Sequence, residues 1–211
     1  MQIDFFDQTV NKVFGATTYP VFKEAFIEAG CTKCRLGASR KHLVIDRGNP
    51  QAKVVLIGEG PGADEDAQGV AFVGRAGQLM DDMFRTAGLD TNRQTLIVNV
   101  VKCRPPENRQ PAADEAETCL PYLKKQLELV QPKVLVLLGA TAVRFVLGRK
   151  EIESMESVVG QFLKSPHWPG VTVMIMYHPA YILRDPRKRP IFEQHVGLLK
   201  AHLAREHLLI A

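Results

Sequence analysis

Four short apolar runs constrain this chain more than any other feature: KVVLIG at 53–58, TLIVNVV at 95–101, KVLVLLG at 133–139 and VTVMIM at 171–176. A strand with one wet face alternates apolar and polar residues, whereas a strand covered on both faces reads as a continuous apolar run. These four are continuous, and each is bounded by Gly, Pro or Asn. Helical patterns separate them, over 75–88, 112–130 and 140–148, with two more over 20–30 and 190–206. Strands alternating with helices predict an α/β fold, a three-layer αβα sandwich around a central four-stranded parallel sheet. Ligands of such sheets bind beyond the carboxyl ends of the strands.

The chain has 211 residues, 45% of them apolar, which suits a single domain over 1–211. Residues 1–50 read as an N-terminal helical appendage that carries a CxxC pair. No apolar run is long enough to cross a bilayer, and the opening MQIDFFDQTVNKVF lacks the basic start and apolar centre of a signal peptide. The expectation is a soluble, cytoplasmic monomer. A net charge of +4 is compatible with a polyanionic partner without establishing one. The basic run RDPRKRP, with Arg184, Arg187, Lys188 and Arg189, reads by itself as a solvated surface loop.

Cys31, Cys34, Cys103 and Cys119 are the only cysteines. A redox CxxC sits where a strand runs into a helix, but CTKC follows a helical pattern ending in Gly30. Four thiolates suffice for one tetrahedral zinc or one iron–sulfur cluster. The spacings, two residues, then 68, then 15, match neither a compact zinc finger nor a ferredoxin run. A shared metal site is weighed ahead of a core role for Cys119, with the metal open.

The unusual polar residues stand where the predicted strands end. Glu59 follows the first, Asn99 lies in the second, and His178 precedes a proline after the last. Phe72 sits between glycines in GVAFVG. Each has a bland reading, as turn, satisfied core amide or loop packing. Gathered at one end of one sheet they make a base-handling set. An aromatic ring stacks a base, an amide offers one donor and one acceptor to its edge, and an imidazole stabilises a developing anion. The loop GEGPGADED has the glycines of a phosphate cradle but carries Glu59, Asp64, Glu65 and Asp66, which would repel a phosphate and suit an oxocarbenium-like sugar.

The segments GEGPGADEDAQGVAFVGRAGQLM, NVVKCRPPENRQP and HPAYILR, with the four cysteine positions, closely resemble the family 4, iron–sulfur uracil-DNA glycosylases from about Cys31 to Pro190. The resemblance implies a monofunctional hydrolase of base-excision repair that cleaves the N-glycosidic bond of deoxyuridine in single- or double-stranded DNA. It implies a [4Fe–4S] cluster on Cys31, Cys34, Cys103 and Cys119, largely structural. Phe72 is similar to the ring that stacks on the flipped uracil, Asn99 to the amide that pairs with the uracil edge, and His178 to the histidine that stabilises the uracil anion at O2. Glu59 and Gly60 fall where the attacking water and the sugar are expected. Glu65 matches a pocket-wall position facing the place of the thymine methyl. Ile182, Leu183 and Arg184 match the loop that wedges into the minor groove.

Two rivals are distinguishable. A covalent uracil-DNA binder of the same superfamily carries a histidine-containing insertion after the third cysteine, whereas this loop reads RPPENRQP and Gly60 follows Glu59. A nucleotide-binding α/β protein with a structural zinc would show GxGxxG opening directly into a helix, where this chain has Pro61 and acids.

Overall fold

The computed structural model describes residues 11–148 and 154–210. Its sheet has six strands: β1 (Arg47–Gly48), β2 (Val54–Gly58), β3 (Thr95–Asn99), β4 (Val134–Leu138), β5 (Phe162–Lys164) and β6 (Thr172–Met176). They lie in the order β1-β3-β2-β4-β6-β5. The inner four, β3-β2-β4-β6, are all parallel and are the four apolar runs. The expected four-stranded sheet therefore forms the centre, and β1 and β5 extend it as antiparallel edges. Two and three residues are too few to show a period, so the edge strands leave no mark on the sequence.

The α-helices with both ends among the described residues are α1 (Tyr19–Ala29), α2 (Ala63–Gln68), α3 (Arg75–Thr86), α4 (Thr91–Gln94), α5 (Ala113–Val130), α6 (Ala140–Leu147), α7 (Pro179–Arg184) and α8 (Arg189–Arg205). The five longer predicted helices are present. The short α2, α4 and α7 were not expected, because one turn or two carries no amphipathic stripe.

Both faces of the sheet are covered. Along β2, Val55 and Ile57 point into one core with Leu123 and Leu127 of α5 and Val143 of α6. Val54 and Leu56 point into the other, with Met80 and Phe84 of α3 and Phe192 and Val196 of α8. That division within one strand is why the runs do not alternate. A third, smaller core joins the N-terminal segment to α5, where the Phe26 ring stacks on Tyr122 at 4.2 Å with 3° between the planes. Beneath it Asp46 accepts from the Tyr19 hydroxyl at 2.8 Å and from Lys23 at 2.7 Å, and Gln126 donates to the same hydroxyl.

The strand order places β3 on one side of β2 and β4 on the other. Chains leaving β2 and β4 therefore diverge at their carboxyl ends and open a crevice between them. Helix α3 closes its near side through Gly77, which lies against the backbone of Phe72 so tightly that a Cβ there would overlap the Phe72 carbonyl. Gly77→Ala is expected to lower stability by about 2–3 kcal/mol, since helix or loop must move. Thermal unfolding should show a fall of roughly 5–10 °C in Tm.

Candidate active site

The crevice is a cavity of about 680 Å³ built by all four central strand ends. Glu59 and Gly60 enter it from β2, Asn99 from β3, Gly139 and Thr141 from the β4–α6 junction, and Tyr177 and His178 from the end of β6. Its rim comes from elsewhere: Pro105, Asn108 and Arg109 of the proline-rich loop, and Tyr181 and Arg184 of α7.

Asn99 is the last residue of β3 and 1% exposed, and among the described residues neither its Nδ2 nor its Oδ1 has a hydrogen-bond partner. A buried amide without partners costs on the order of 1–3 kcal/mol, so its place at a cavity wall marks it for a ligand. Phe72 lies in the left-handed region at φ 54°, where a bulky residue is disfavoured, and its buried ring stands 5.6 Å from the His178 ring. Both groups stand over Gly58, where a Cβ would come within 2.5 Å of Asn99 Oδ1 and of Phe72 Cζ. Only glycine at the end of β2 lets amide and ring approach each other.

His178 caps α7, and its Nδ1 accepts from the Ala180 N–H at 3.1 Å. With Nδ1 an acceptor, the ring proton sits on Nε2 and the imidazole is a neutral donor. Burial, reinforced by Arg184, pushes its pKa down to about 4, so it stays neutral at physiological pH. Glu59 accepts from the Thr141 hydroxyl. Burial raises the Glu59 pKa, while Thr141 and Arg184 oppose the rise. Thr141 was not anticipated, although the GAT that follows the third apolar run marks a strand-to-helix junction at the sheet's active end.

The match with the Uracil DNA glycosylase superfamily model runs over residues 45–200. The type-4 uracil-DNA glycosylase of Archaeoglobus fulgidus is 40% identical over 166 residues, 77% of this chain and 83% of that protein. The type-4 enzyme of Thermotoga maritima is 41% identical over 156 residues, 74% and 79% of the two chains. That of Sulfurisphaera tokodaii is 38% identical over 169 residues, 78% and 76%. This chain is a type-4 member of the uracil-DNA glycosylase superfamily.

Within this glycosylase the remaining expected residues are divided in their positions. Glu65 lines the cavity, but its Oε2 accepts from Gly62 N–H at 3.1 Å and its Oε1 from Gly74 N–H at 2.8 Å. It clamps the starts of α2 and α3 together while forming the pocket wall. Asp66, grouped by the sequence with the acids suited to face the sugar, is buried away from the cavity and accepts from the backbone of Lys41 at 2.8 Å. Two of the four acids of GEGPGADED, Glu65 and Asp66, are thus engaged by backbone donors, and Glu59 lies in the cavity wall bonded to Thr141. The expected wedge also divides. Leu183 and Arg184 are exposed, whereas Ile182 is buried in the core under α7 and cannot enter a groove from there, because its side chain anchors that helix.

The cysteines of the glycosylase lie together at the base of the proline-rich loop. Arg40 Nη1 donates to Cys103 Sγ at 3.4 Å and to the Cys31 carbonyl, and the Cys31 thiol donates to the Tyr122 hydroxyl at 3.6 Å. Among the described residues no group of three or more His, Cys, Asp or Glu side chains is drawn close enough to hold a single metal ion. Burial pushes the Cys103 thiol up to about 11 and Cys119 up to about 12, so metal binding here must displace protons. Buried Glu115 ties both cysteine segments to the pocket rim. It accepts a bidentate pair from Arg109 at 2.7 and 2.8 Å, Arg35 Nε at 2.6 Å and the Ala112 N–H at 2.8 Å. These donors, Arg109 foremost, hold its pKa down to about 2.

A carboxyl held below its ordinary 4.5 contributes stability that is complete above that pH and lost as pH falls toward about 2. Glu115→Gln should therefore be less stable than the parent at pH 6 and lose less of its remaining stability between pH 4.5 and 2. Urea midpoints measured across that window decide the matter.

Proposed function

We propose that this protein hydrolyses the N-glycosidic bond of deoxyuridine in DNA, releasing uracil and leaving an abasic site as the first step of base-excision repair. The observation that carries the reading is the partnerless Asn99 amide, buried beside the Phe72 ring at the cavity wall. Uracil presents a donor at N3–H and an acceptor at O4, which match Oδ1 and Nδ2. Cytosine presents the reverse pattern at those atoms and would leave the amide unpaired. A base reaches this depth only when flipped out of the helix, and Phe72 offers the stacking surface. The exposed Leu183 fills the gap left in the stack, and Arg184, Arg187 and Lys188 hold phosphates.

In the reaction the C1′–N1 bond breaks and its electron pair leaves with the base. Negative charge spreads to O2, where the neutral His178 donates through Nε2–H, while C1′ takes oxocarbenium character. The Glu59 carboxylate, fixed by Thr141, faces that positive charge and orients the water. The water oxygen bonds to C1′, and the proton it loses balances the one the uracil anion takes up. Every group in this scheme comes from one chain, so a monomer suffices for the reaction. A covalent capture protein is not favoured, since RPPENRQP holds no histidine and Gly60 follows Glu59.

A [4Fe–4S] cluster on Cys31, Cys34, Cys103 and Cys119 fits this donor set better than a single ion. The thiolates around one zinc sit less than about 4 Å apart, and a multi-iron core spans more. When bound, the cluster supplies a cross-link between the N-terminal segment and the loop that forms the pocket rim.

With a labelled oligonucleotide containing one uracil, Asn99→Ala and His178→Ala should each cut single-turnover cleavage after alkali by about a hundredfold or more with the fold retained. Unchanged rates in both would remove the assigned roles. The acid limb of the pH–rate profile should lie above pH 4.5, since Glu59 titrates above that ordinary value and His178 only near 4. In Glu59→Gln the residual activity should lack that limb and fall only near pH 4. Protein purified anaerobically should be brown with about four irons per chain and lose its colour in Cys103→Ser; a colourless, zinc-loaded protein would overturn the cofactor assignment.

A further inference from the structure

Lys102 is buried, at 1% exposure, and is the last of the three residues that separate the base-reading amide from the third cysteine. Its Nζ donates to the backbone carbonyl of Asn99 at 2.7 Å. That carbonyl lies two residues beyond the last pair made by the β1 edge, Arg47 with Ile97, so no strand donor reaches it there. The ammonium takes the place of the missing strand and closes the end of β3. Beyond the carbonyl, the titratable groups near it are Cys119, whose sulfur the Lys102 backbone N–H approaches, the adjoining Cys103, and Asp46. Asp46 already accepts from Tyr19 and Lys23. A buried ammonium with three donors is costly unless negative charge lies close, and two cysteines that become thiolates on metal binding supply it.

We propose that Lys102 is a positioning residue that couples the four-cysteine site to uracil recognition, holding Asn99 by its carbonyl on one side and serving as countercharge to the metal-bound thiolates on the other. This rests on the uracil reading of the pocket and deepens it. An apolar residue would fill the same volume, but it would leave the Asn99 carbonyl unpaired and the end of β3 free to shift. The Asn99 amide would then no longer sit opposite Phe72.

The test compares binding to two oligonucleotides, one with a non-hydrolysable 2′-fluorinated deoxyuridine and one with a reduced abasic analogue at the same place. Lys102→Met should lower the ratio of the two affinities about tenfold and leave the abasic affinity within about twofold. Lys102→Gln, which keeps a donor, should restore most of the ratio. Adding Lys102→Met to Asn99→Ala should change the ratio no further. In both lysine variants the cluster potential, read by a visible-absorbance redox titration, should move to more negative values, because a nearby cation favours the added electron. An unchanged ratio in a folded Lys102→Met protein overturns the positioning role, and an unchanged potential or an iron-free native protein overturns the countercharge role. If Lys102→Met does not fold, Lys102→Gln carries the test through the potential. Failure of both to fold makes Lys102 purely structural and overturns the proposal. A native protein that binds both oligonucleotides equally overturns the uracil reading itself, a result distinct from the others.

Discussion

The parallel register that sets Gly58 of β2 opposite Asn99 of β3 is the constraint on which the site depends. Parallel pairing makes both strands end at the same height, so the backbone amides of Val100 and Val101 bond to the carbonyls of Gly58 and Glu59 as the two chains leave the sheet together. Glycine at 58 leaves the volume into which the Asn99 amide and the Phe72 ring are packed. A one-residue slip would turn Asn99 to the other face of the sheet. Both faces are filled by apolar cores that fix β2 and β3 in place, so the cores hold the register and the register holds the amide.

From that fixed point two devices extend outward. Glu65 accepts from the N-terminal amides of α2 and α3, so the acidic turn and the Phe72 loop are held as one wall. On the far side Glu115 gathers Arg35 and Arg109, one from each cysteine segment, and sets the proline-rich loop at the rim. Both are buried carboxylates whose oxygens are engaged by donors, the arrangement under which a buried charge is tolerated. Neither belongs to the proposed chemistry, yet Glu65 decides where the Phe72 loop sits and Glu115 where the proline-rich rim sits.

The central sheet and the longer helices were legible because continuous burial and helical periodicity extend over five residues or more. Asn99, His178 and Glu59 were legible by their position, polar groups at the ends of apolar runs in a fold that binds ligands there. Elements of a few residues were not: β1, β5, α2, α4 and α7 exist because neighbouring strands and caps complete their hydrogen bonds. The same limit explains Ile182. In HPAYILR nothing separates Ile182 from Leu183, and only the short helix turns one side chain into the core and its neighbour into solvent. The bonds that hold Asp66 and Glu65 were not legible, since their partners, Lys41, Gly62 and Gly74, are backbone amides that carry no side-chain signature.

By itself the sequence determined the alternating α/β order, the parallel core, the set of polar residues at the strand ends and the four thiols. Periodicity and residue chemistry are local properties, and a linear chain displays them. Only the tertiary structure decided that Thr141 holds Glu59, that His178 is a neutral donor through its cap on Ala180, and that the Lys102 ammonium closes on the Asn99 carbonyl. Each of those depends on strand order or on a helix end bringing together atoms that no spacing rule in the chain relates.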